Sequence, residues 1–215
     1  MVRFIIVRHG YSVTNKEQIF AGHLDAELDE IGVRQAKSVK EHIISTYHID
    51  RIYSSDLKRA IDTARPTAEA LGLNINVDSG LRELDVGLWQ GMRVVDVAEK
   101  FPETFKVYIT NVGEARPDNG ETYTELAERA NEAFLRIAAE NDGKTVMVVS
   151  HGGVIRALRC LWNGYCMANS QTISHVANAS VSEVEYDNGV FKFVTVGYAG
   201  HLNDSVSEKD IKQLF

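Results

Sequence analysis

Residues 2–10 read Val2-Arg3-Phe4-Ile5-Ile6-Val7-Arg8-His9-Gly10. The run from Val2 to Val7 is short, apolar and rich in β-branched residues, and it stops at Arg-His-Gly. This pattern predicts a strand buried on both faces, central in its sheet and ended by a turn. A second run of the same kind, Lys144 to Val149, ends in Ser150-His151-Gly152-Gly153 and passes into an apolar helix from Val154 to Trp162. Ile49 to Tyr53 reads as another strand, closing in Ser54-Ser55-Asp56, where Ser or Asp is expected to cap the helix that follows. Leu73 to Val77 reads as one more.

Between these strands the period changes to that of a helix. From Asp29 to Thr46, Ile31, Ala36, Val39 and Ile43 recur at helical spacing, and Leu57, Ile61, Ala64, Ala68 and Leu71 do the same until Gly72 stops the run. Pro66 inside that second run predicts a kink or a break. Helical segments are also predicted over about Val94 to Thr110 and about Thr122 to Glu140. The stretch from Gly80 to Gly91 has too little periodicity for a regular element, and loops of that length are often functional. Near the C-terminus, Val181 to Asp187 and Val190 to Val196 flank Asn188-Gly189, a hairpin signal placed at the sheet's edge. Strands alternating with helices predict an α/β layered fold, a three-layer α/β/α sandwich with a mostly parallel central sheet, and one domain spanning residues 1–215.

Composition narrows the function classes. Apolar residues make up 44% of the 215 and charged residues 25%, with 3 Pro against 16 Gly, which is globular and excludes collagen-like, linker and low-complexity chains. Thirty acidic against 23 basic side chains leave a formal charge of -7, which argues against nucleic acid or an anionic membrane as partner. Two cysteines, Cys160 and Cys166, are too few for a disulfide scaffold and read as small buried hydrophobes. The apolar run at the N-terminus is far shorter than the roughly 20 residues of a membrane span, and the expected location is cytoplasmic.

Three strand ends deliver polar side chains to one edge of the predicted sheet: Arg8 and His9, the Ser54 to Arg59 segment, and His151. In α/β sheets ligands bind beyond the carboxyl ends of the strands. A histidine beside a strand is by itself more often structural than catalytic, so the convergence carries the argument. A metal does not suit His9, because the permanently charged Arg8 beside it repels a cation. An anion does. Arg8 and Arg59 can clamp phosphate oxygens through planar donor forks, and the Gly-Gly after His151 opens a helix whose free N–H groups favour an anion.

The ordered set Arg8-His9-Gly10, Asn15, Ser54 to Ala60 with Thr63-Ala64, Leu81-Arg82-Glu83 with Gly87 and Gly91, and Ser150-His151-Gly152-Gly153 resembles the histidine phosphatase superfamily, the phosphoglycerate-mutase-like proteins. The motifs follow the family's order from residue 8 to residue 153, and the remaining sixty or so residues share only the general pattern. The resemblance implies a phosphoglycerate-mutase-like fold and a phosphomonoester hydrolase working through a phosphohistidine, with a small phosphorylated metabolite as substrate. His9 would be the nucleophile, and Arg8, Arg59 and His151 would surround the phosphate. Asn15 would add a hydrogen bond, Gly22 and Gly152 backbone donors, and Ala21 a further contact. Glu83 would protonate the leaving oxygen and then activate water. No metal and no other cofactor is implied, and the chain would act as a monomer or homodimer.

Within such a family the alternatives are hydrolysis and mutase transfer, with a non-catalytic phosphate-binding protein as a third. Asp85 stands where family mutases carry a basic or polar aromatic pair, and their longer basic insertion is missing, so hydrolysis is favoured. Tyr11 replaces the Glu usual after the triplet. Arg82, Arg93 and Arg116 are candidates for selecting an acidic substrate. Trp89, Met92, Phe101, Phe105 and Tyr108 read either as an apolar wall over the site or as core. His42 and His48 are expected to be solvated and His23 to sit near the pocket mouth, while His175 and His201 have no motif around them. Asn178-Ala179-Ser180 matches a glycosylation sequon, without meaning unless the chain is secreted.

Overall fold

The computed structural model describes residues 1–202. Its strands are β1 (Val2–Arg8), β2 (Arg51–Ser54), β3 (Ile75–Val77), β4 (Thr145–Ser150), β5 (Val181–Asp187) and β6 (Val190–Tyr198), in the sheet order β3-β2-β4-β1-β5-β6. The four strands from β3 to β1 are parallel, and the β5-β6 hairpin is added antiparallel beside β1. β1 is central, as its unbroken apolar run requires. Phe4 and Ile6 point to one face and Ile5 and Val7 to the other, and each set enters a separate buried cluster.

The helices are α1 (Val13–Lys16), α2 (Glu30–Thr46), α3 (Lys58–Leu71), α4 (Val94–Lys100), α5 (Pro102–Thr110), α6 (Tyr123–Glu140) and α7 (Gly152–Trp162). α2 and α3 cover the face of Ile5 and Val7, through Val39, Ile43, Ala60 and Ala64. α6 and α7 cover the other face, through Leu126, Phe134, Ile155 and Leu158. The result is the expected three-layer sandwich. Because the chain leaves β1 toward one face and leaves the adjacent β4 toward the other, a crevice opens between their C-terminal ends, where Arg8 pairs in register with Ser150.

Local signals place most ends. Asp29 caps α2 by accepting from the Gly32 N–H at 2.9 Å, and Thr122 and Glu125 form a reciprocal capping box on α6. Gly72 ends α3 at φ 65°, and the turn residues Asn188 and Gly189 both have positive φ, as a two-residue hairpin loop demands. The Gly80 to Gly91 stretch holds only short 3-10 turns at Ser79–Leu81 and Gly87–Trp89.

Three expectations need correction. The helix expected over Val94 to Thr110 is two, because Pro102 disfavours helical geometry at Phe101, which sits at φ -128°, ψ 53°. α3 does not break at Pro66. The lost hydrogen bond, worth about 3 kcal/mol in an isolated helix, is offset by the buried face of Ala60, Thr63, Ala64, Thr67 and Ala68. None of Ser54, Ser55 and Asp56 caps α3: its N-cap is Leu57, whose own N–H goes to Ser55 Oγ, and the Lys58 N–H is taken at 2.7 Å by the carboxylate of Asp25, from a loop 33 residues earlier. Asp56 is engaged by Arg82 instead.

Candidate active site

The crevice between β1 and β4 holds a cavity of about 150 Å³ whose wall includes Arg8, His9, Asn15, Ala21, Gly22, Arg59 and Glu83. His151 and Gly152 lie just behind that wall. His151 is wholly buried, and its ring centroid is 5.1 Å from that of His9. Every residue expected at the site is therefore brought to one place, from five separate segments of chain.

His9 is fixed at both ends. Its backbone N–H donates to Ser150 O at 2.9 Å, and its Nδ1 lies 2.7 Å from the Gly10 carbonyl. A carbonyl only accepts, so Nδ1 carries the proton and Nε2 keeps its lone pair. Burial pushes the His9 pKa well below 6.5, and the charges of Arg59 and Arg8 push the same way. His151 is lowered likewise, by burial first and then by Arg59, His9 and Arg8. Both shifts favour the neutral imidazole.

The cations are braced by backbone carbonyls. Arg8 Nη1 donates to Val176 O at 2.5 Å, while Arg59 donates from Nη1 to Leu24 O at 2.8 Å and from Nη2 to Gly22 O at 2.9 Å. Burial lowers Arg59 to about 10, which leaves it charged at neutral pH. Arg8 Nε and both ring nitrogens of His151 are buried without a hydrogen-bond partner among the described residues. Unpaired buried polar groups of this kind are costly, and the Arg8 N–H and the one N–H of His151, with two guanidinium charges, suit an anion of several oxygens. Among the described residues no group of three or more His, Cys, Asp or Glu is arranged to hold a metal.

Glu83 reaches the site from the 3-10 segment, with Oε1 accepting from the Leu84 N–H at 2.9 Å and Oε2 from the Gly153 N–H at 3.2 Å. A side chain on Gly153 would collide with this carboxylate, which is why glycine follows Gly152 at the start of α7. The loop bearing Glu83 is held from behind. Arg129 donates to the carbonyls of Gly80 (2.9 Å), Arg82 (3.1 Å) and Glu83 (3.2 Å), and it pairs with Glu121, which also accepts from the Asp85 N–H. On the other side His23 Nε2 meets Glu83 O at 2.8 Å.

Several polar residues do something other than expected. Arg82 forms a two-pronged pair with Asp56, Arg93 with Asp96, and Arg116 pairs with Glu125; none lines the cavity. Asp85 does not line the cavity, and its carboxylate is turned back to its own turn, where it accepts from the Gly87 N–H. Trp89 is core, while Tyr108, in ring contact with it, reaches the cavity. His42 is half-buried and stacks on His201 at 4.8 Å rather than being solvated, and Cys166 is exposed where a buried thiol was expected.

Other residues of the site escaped the sequence reading. The sequon residue Asn178 is buried, and its Nδ2 donates to His9 O at 3.0 Å, so it braces the turn after β1. Ser12 and Thr14 line the cavity beside Asn15, whose Oδ1 accepts from Ser12 Oγ at 2.9 Å and leaves Nδ2 as a donor. Tyr123 and His175 complete the wall. His175 accepts from Arg156 Nη1 at 2.9 Å, and burial with the charges of Arg8, Arg156 and Arg159 lowers its pKa to about 3.

Comparison with known proteins agrees with this geometry. Residues 4–198 match the family model of the histidine phosphatase superfamily, branch 1. Phosphoglycerate mutase-like protein 4 of Arabidopsis thaliana is 33% identical over 204 residues, covering 94% of this chain and 87% of that one. Phosphoserine phosphatase 1 of Hydrogenobacter thermophilus is 34% identical over 185 residues, covering 82% and 87%. Among solved structures, Bacillus stearothermophilus YhfR superposes with a TM-score of 0.90 at 26% identity, covering 94% of this chain and 100% of its own.

Proposed function

The chain belongs to the histidine phosphatase superfamily, and from that premise we propose that it hydrolyses phosphomonoesters through a phosphohistidine on His9, without a metal. The observation that carries the reading is the 2.7 Å contact of His9 Nδ1 with the Gly10 carbonyl, which takes up an Nδ1–H and so leaves Nε2 as nucleophile near two buried arginines. In the first step the Nε2 lone pair forms the N–P bond while the P–O bond to the leaving group breaks, and Glu83 gives its proton to the departing oxygen. In the second, water adds to phosphorus, Glu83 takes its proton, and the N–P bond returns its electron pair to Nε2. Arg8 and Arg59 hold the equatorial oxygens, with Asn15 Nδ2 and the one N–H of neutral His151 as further donors.

Transfer to water is favoured over return to a retained product. A mutase must hold a second anionic group of its substrate, and among the described residues the arginines of this cavity wall are Arg8 and Arg59, both assigned to the phosphate. The reading is that of an acid-phosphatase-type enzyme of the cytoplasm, a monomer or homodimer acting on a small phosphorylated metabolite. A net charge of -7 goes with the lack of a nucleic acid or membrane partner. Among the described residues no helix is long and apolar enough to cross a membrane.

The test is phosphate release after exhaustive chelation. With two guanidinium groups supplying the positive field, release from phenyl phosphate should be unchanged by chelator, and vanadate, which mimics five-coordinate phosphorus, should inhibit competitively. Loss on chelation that magnesium or zinc restores would overturn the metal-free site.

Arg129 provides a separate check on Glu83. Because its hydrogen bonds among the described residues go to the carbonyls behind the acid and to Glu121, Arg129→Gln should slow hydrolysis of alkyl phosphates about tenfold, a fraction of what a general acid contributes, and nitrophenyl phosphate far less. Combined with Glu83→Gln it should add nothing, since both act through one group. Equal losses on both substrates, or additive ones, would mean that Arg129 merely supports the fold.

A further inference from the structure

Three arginines converge on one short segment of chain. Arg156 donates from Nε to Ser170 O at 2.8 Å, Arg159 from Nη1 to Ser174 O at 2.9 Å, and Arg8 from Nη1 to Val176 O at 2.5 Å. His175 lies inside this brace and lines the cavity. Its ring is oriented by Arg156, whose Nη1 is 2.9 Å from His175 Nε2. A guanidinium only donates, so Nε2 accepts and the neutral ring carries its proton on Nδ1. Burial first, and then the charges of Arg8, Arg156 and Arg159, lower the pKa to about 3, so no second proton arrives at neutral pH.

Nδ1 is turned toward the first residue of α7. A side chain on Gly152 would come within 3.3 Å of it, and the Gly152 backbone takes its hydrogen bond. The backbone group that accepts from an N–H is the carbonyl. The Gly152 carbonyl belongs to the same planar peptide unit as the Gly153 N–H, which donates to Glu83 Oε2 at 3.2 Å. Glu83 Oε1 is held by the Leu84 N–H, so the Gly153 bond decides how the carboxyl plane faces the cavity. A carbonyl that accepts makes the N–H of its own peptide a better donor, and a charged donor at the head of the chain strengthens each link.

We propose that His175 and Arg156 are positioning residues for Glu83: Arg156 fixes the tautomer of His175, and His175 holds the Gly152–Gly153 peptide that aims the carboxyl at the leaving oxygen. The proposal rests on the hydrolase reading above, with Glu83 as its acid. It gives a role to a histidine that stands in no motif and to an arginine outside the cavity wall.

The test reads kcat/KM, which reports the first transfer, on glycerol 3-phosphate, whose alkoxide needs a proton, and on nitrophenyl phosphate, whose leaving group needs little. His175→Leu keeps the bulk and removes the N–H. It should lose about tenfold on glycerol 3-phosphate, a fraction of what a general acid contributes, and far less on nitrophenyl phosphate. His175→Asn, whose Nδ2 can stand in for Nδ1, should recover most of that loss. Arg156→Gln should show the same split between substrates, and it carries the test if His175→Leu does not fold. In a Glu83→Gln background neither change should cost anything further. Equal losses on both substrates would overturn the proposal and mean that the ring holds Gly152 against the phosphate or supports the fold. An asparagine variant as slow as the leucine one, losses additive with Glu83→Gln, or no loss at all would overturn it too. Each of these leaves the hydrolase standing, because the wild type still releases phosphate. A wild-type protein that releases phosphate from neither substrate would overturn the hydrolase reading, and this proposal with it.

Discussion

Replacing His9 by alanine is expected to reduce turnover by more than about a thousandfold, the scale seen when a covalent nucleophile is removed. Arg8, Arg59 and His151 would remain to bind the phosphate, so vanadate or inorganic phosphate should still bind while catalysis is lost. The wild-type protein, mixed briefly with labelled substrate and quenched, should yield a phosphoprotein that is stable to alkali and labile to acid, as a phosphoramidate is. His9→Ala should yield none. The substitution removes the bond to the Gly10 carbonyl but keeps the backbone bond to Ser150, and Asn178 still braces the turn through the backbone oxygen of residue 9. The fold should therefore survive, which a circular dichroism spectrum checks. Near-normal turnover in the variant would mean that the phosphoryl group goes elsewhere or directly to water.

Glu83→Gln is expected to divide substrates by their leaving groups. An alkoxide needs a proton as it departs, whereas a nitrophenolate leaves nearly unaided. The variant should therefore lose about a hundredfold on glycerol 3-phosphate, the usual contribution of a general acid, and much less on nitrophenyl phosphate at the first step. Glutamine keeps the shape of the side chain but can accept through one oxygen only, so either the Leu84 or the Gly153 N–H loses its acceptor. That loss costs stability on the order of 1–3 kcal/mol if the group stays buried and unpaired. A thermal melt measures it separately from the kinetics. Equal losses on the two substrates would show that Glu83 positions Gly153 and does not transfer protons.

Much of this site is legible in the chain because its parts are local. Val2 to Val7 must lie in the middle of a sheet, since no exposed strand tolerates so unbroken an apolar run, and the residues just past its end must then emerge at the crevice. The same logic applies to Ser150-His151-Gly152-Gly153. Asn188-Gly189 demands a tight hairpin, and Thr122 with Glu125 a helix start, because each satisfies its own backbone within a few residues. Where a local rule failed, a distant partner had taken over. Asp25 caps α3 across 33 residues, and the buried face of α3 carries Pro66.

The sequence by itself determined the layered fold, the central place of β1, and the gathering of Arg8, His9, Arg59 and His151, since hydrophobic period and turn chemistry are properties of short segments, while Glu83 joined them only through the family resemblance. Only the tertiary structure decided which charges are free to act. Arg82, Arg93 and Arg116 read alike along the chain as candidates for an acidic substrate, yet each is neutralised by a carboxylate. Arg129 and Asn178, by contrast, carry no local mark and brace the site through carbonyls 46 and 169 residues away. A guanidinium or an amide has several donors and no memory of sequence distance. What it binds is set by whichever acceptor the packed layers bring within about 3 Å, and that is known only once the chain has closed on itself.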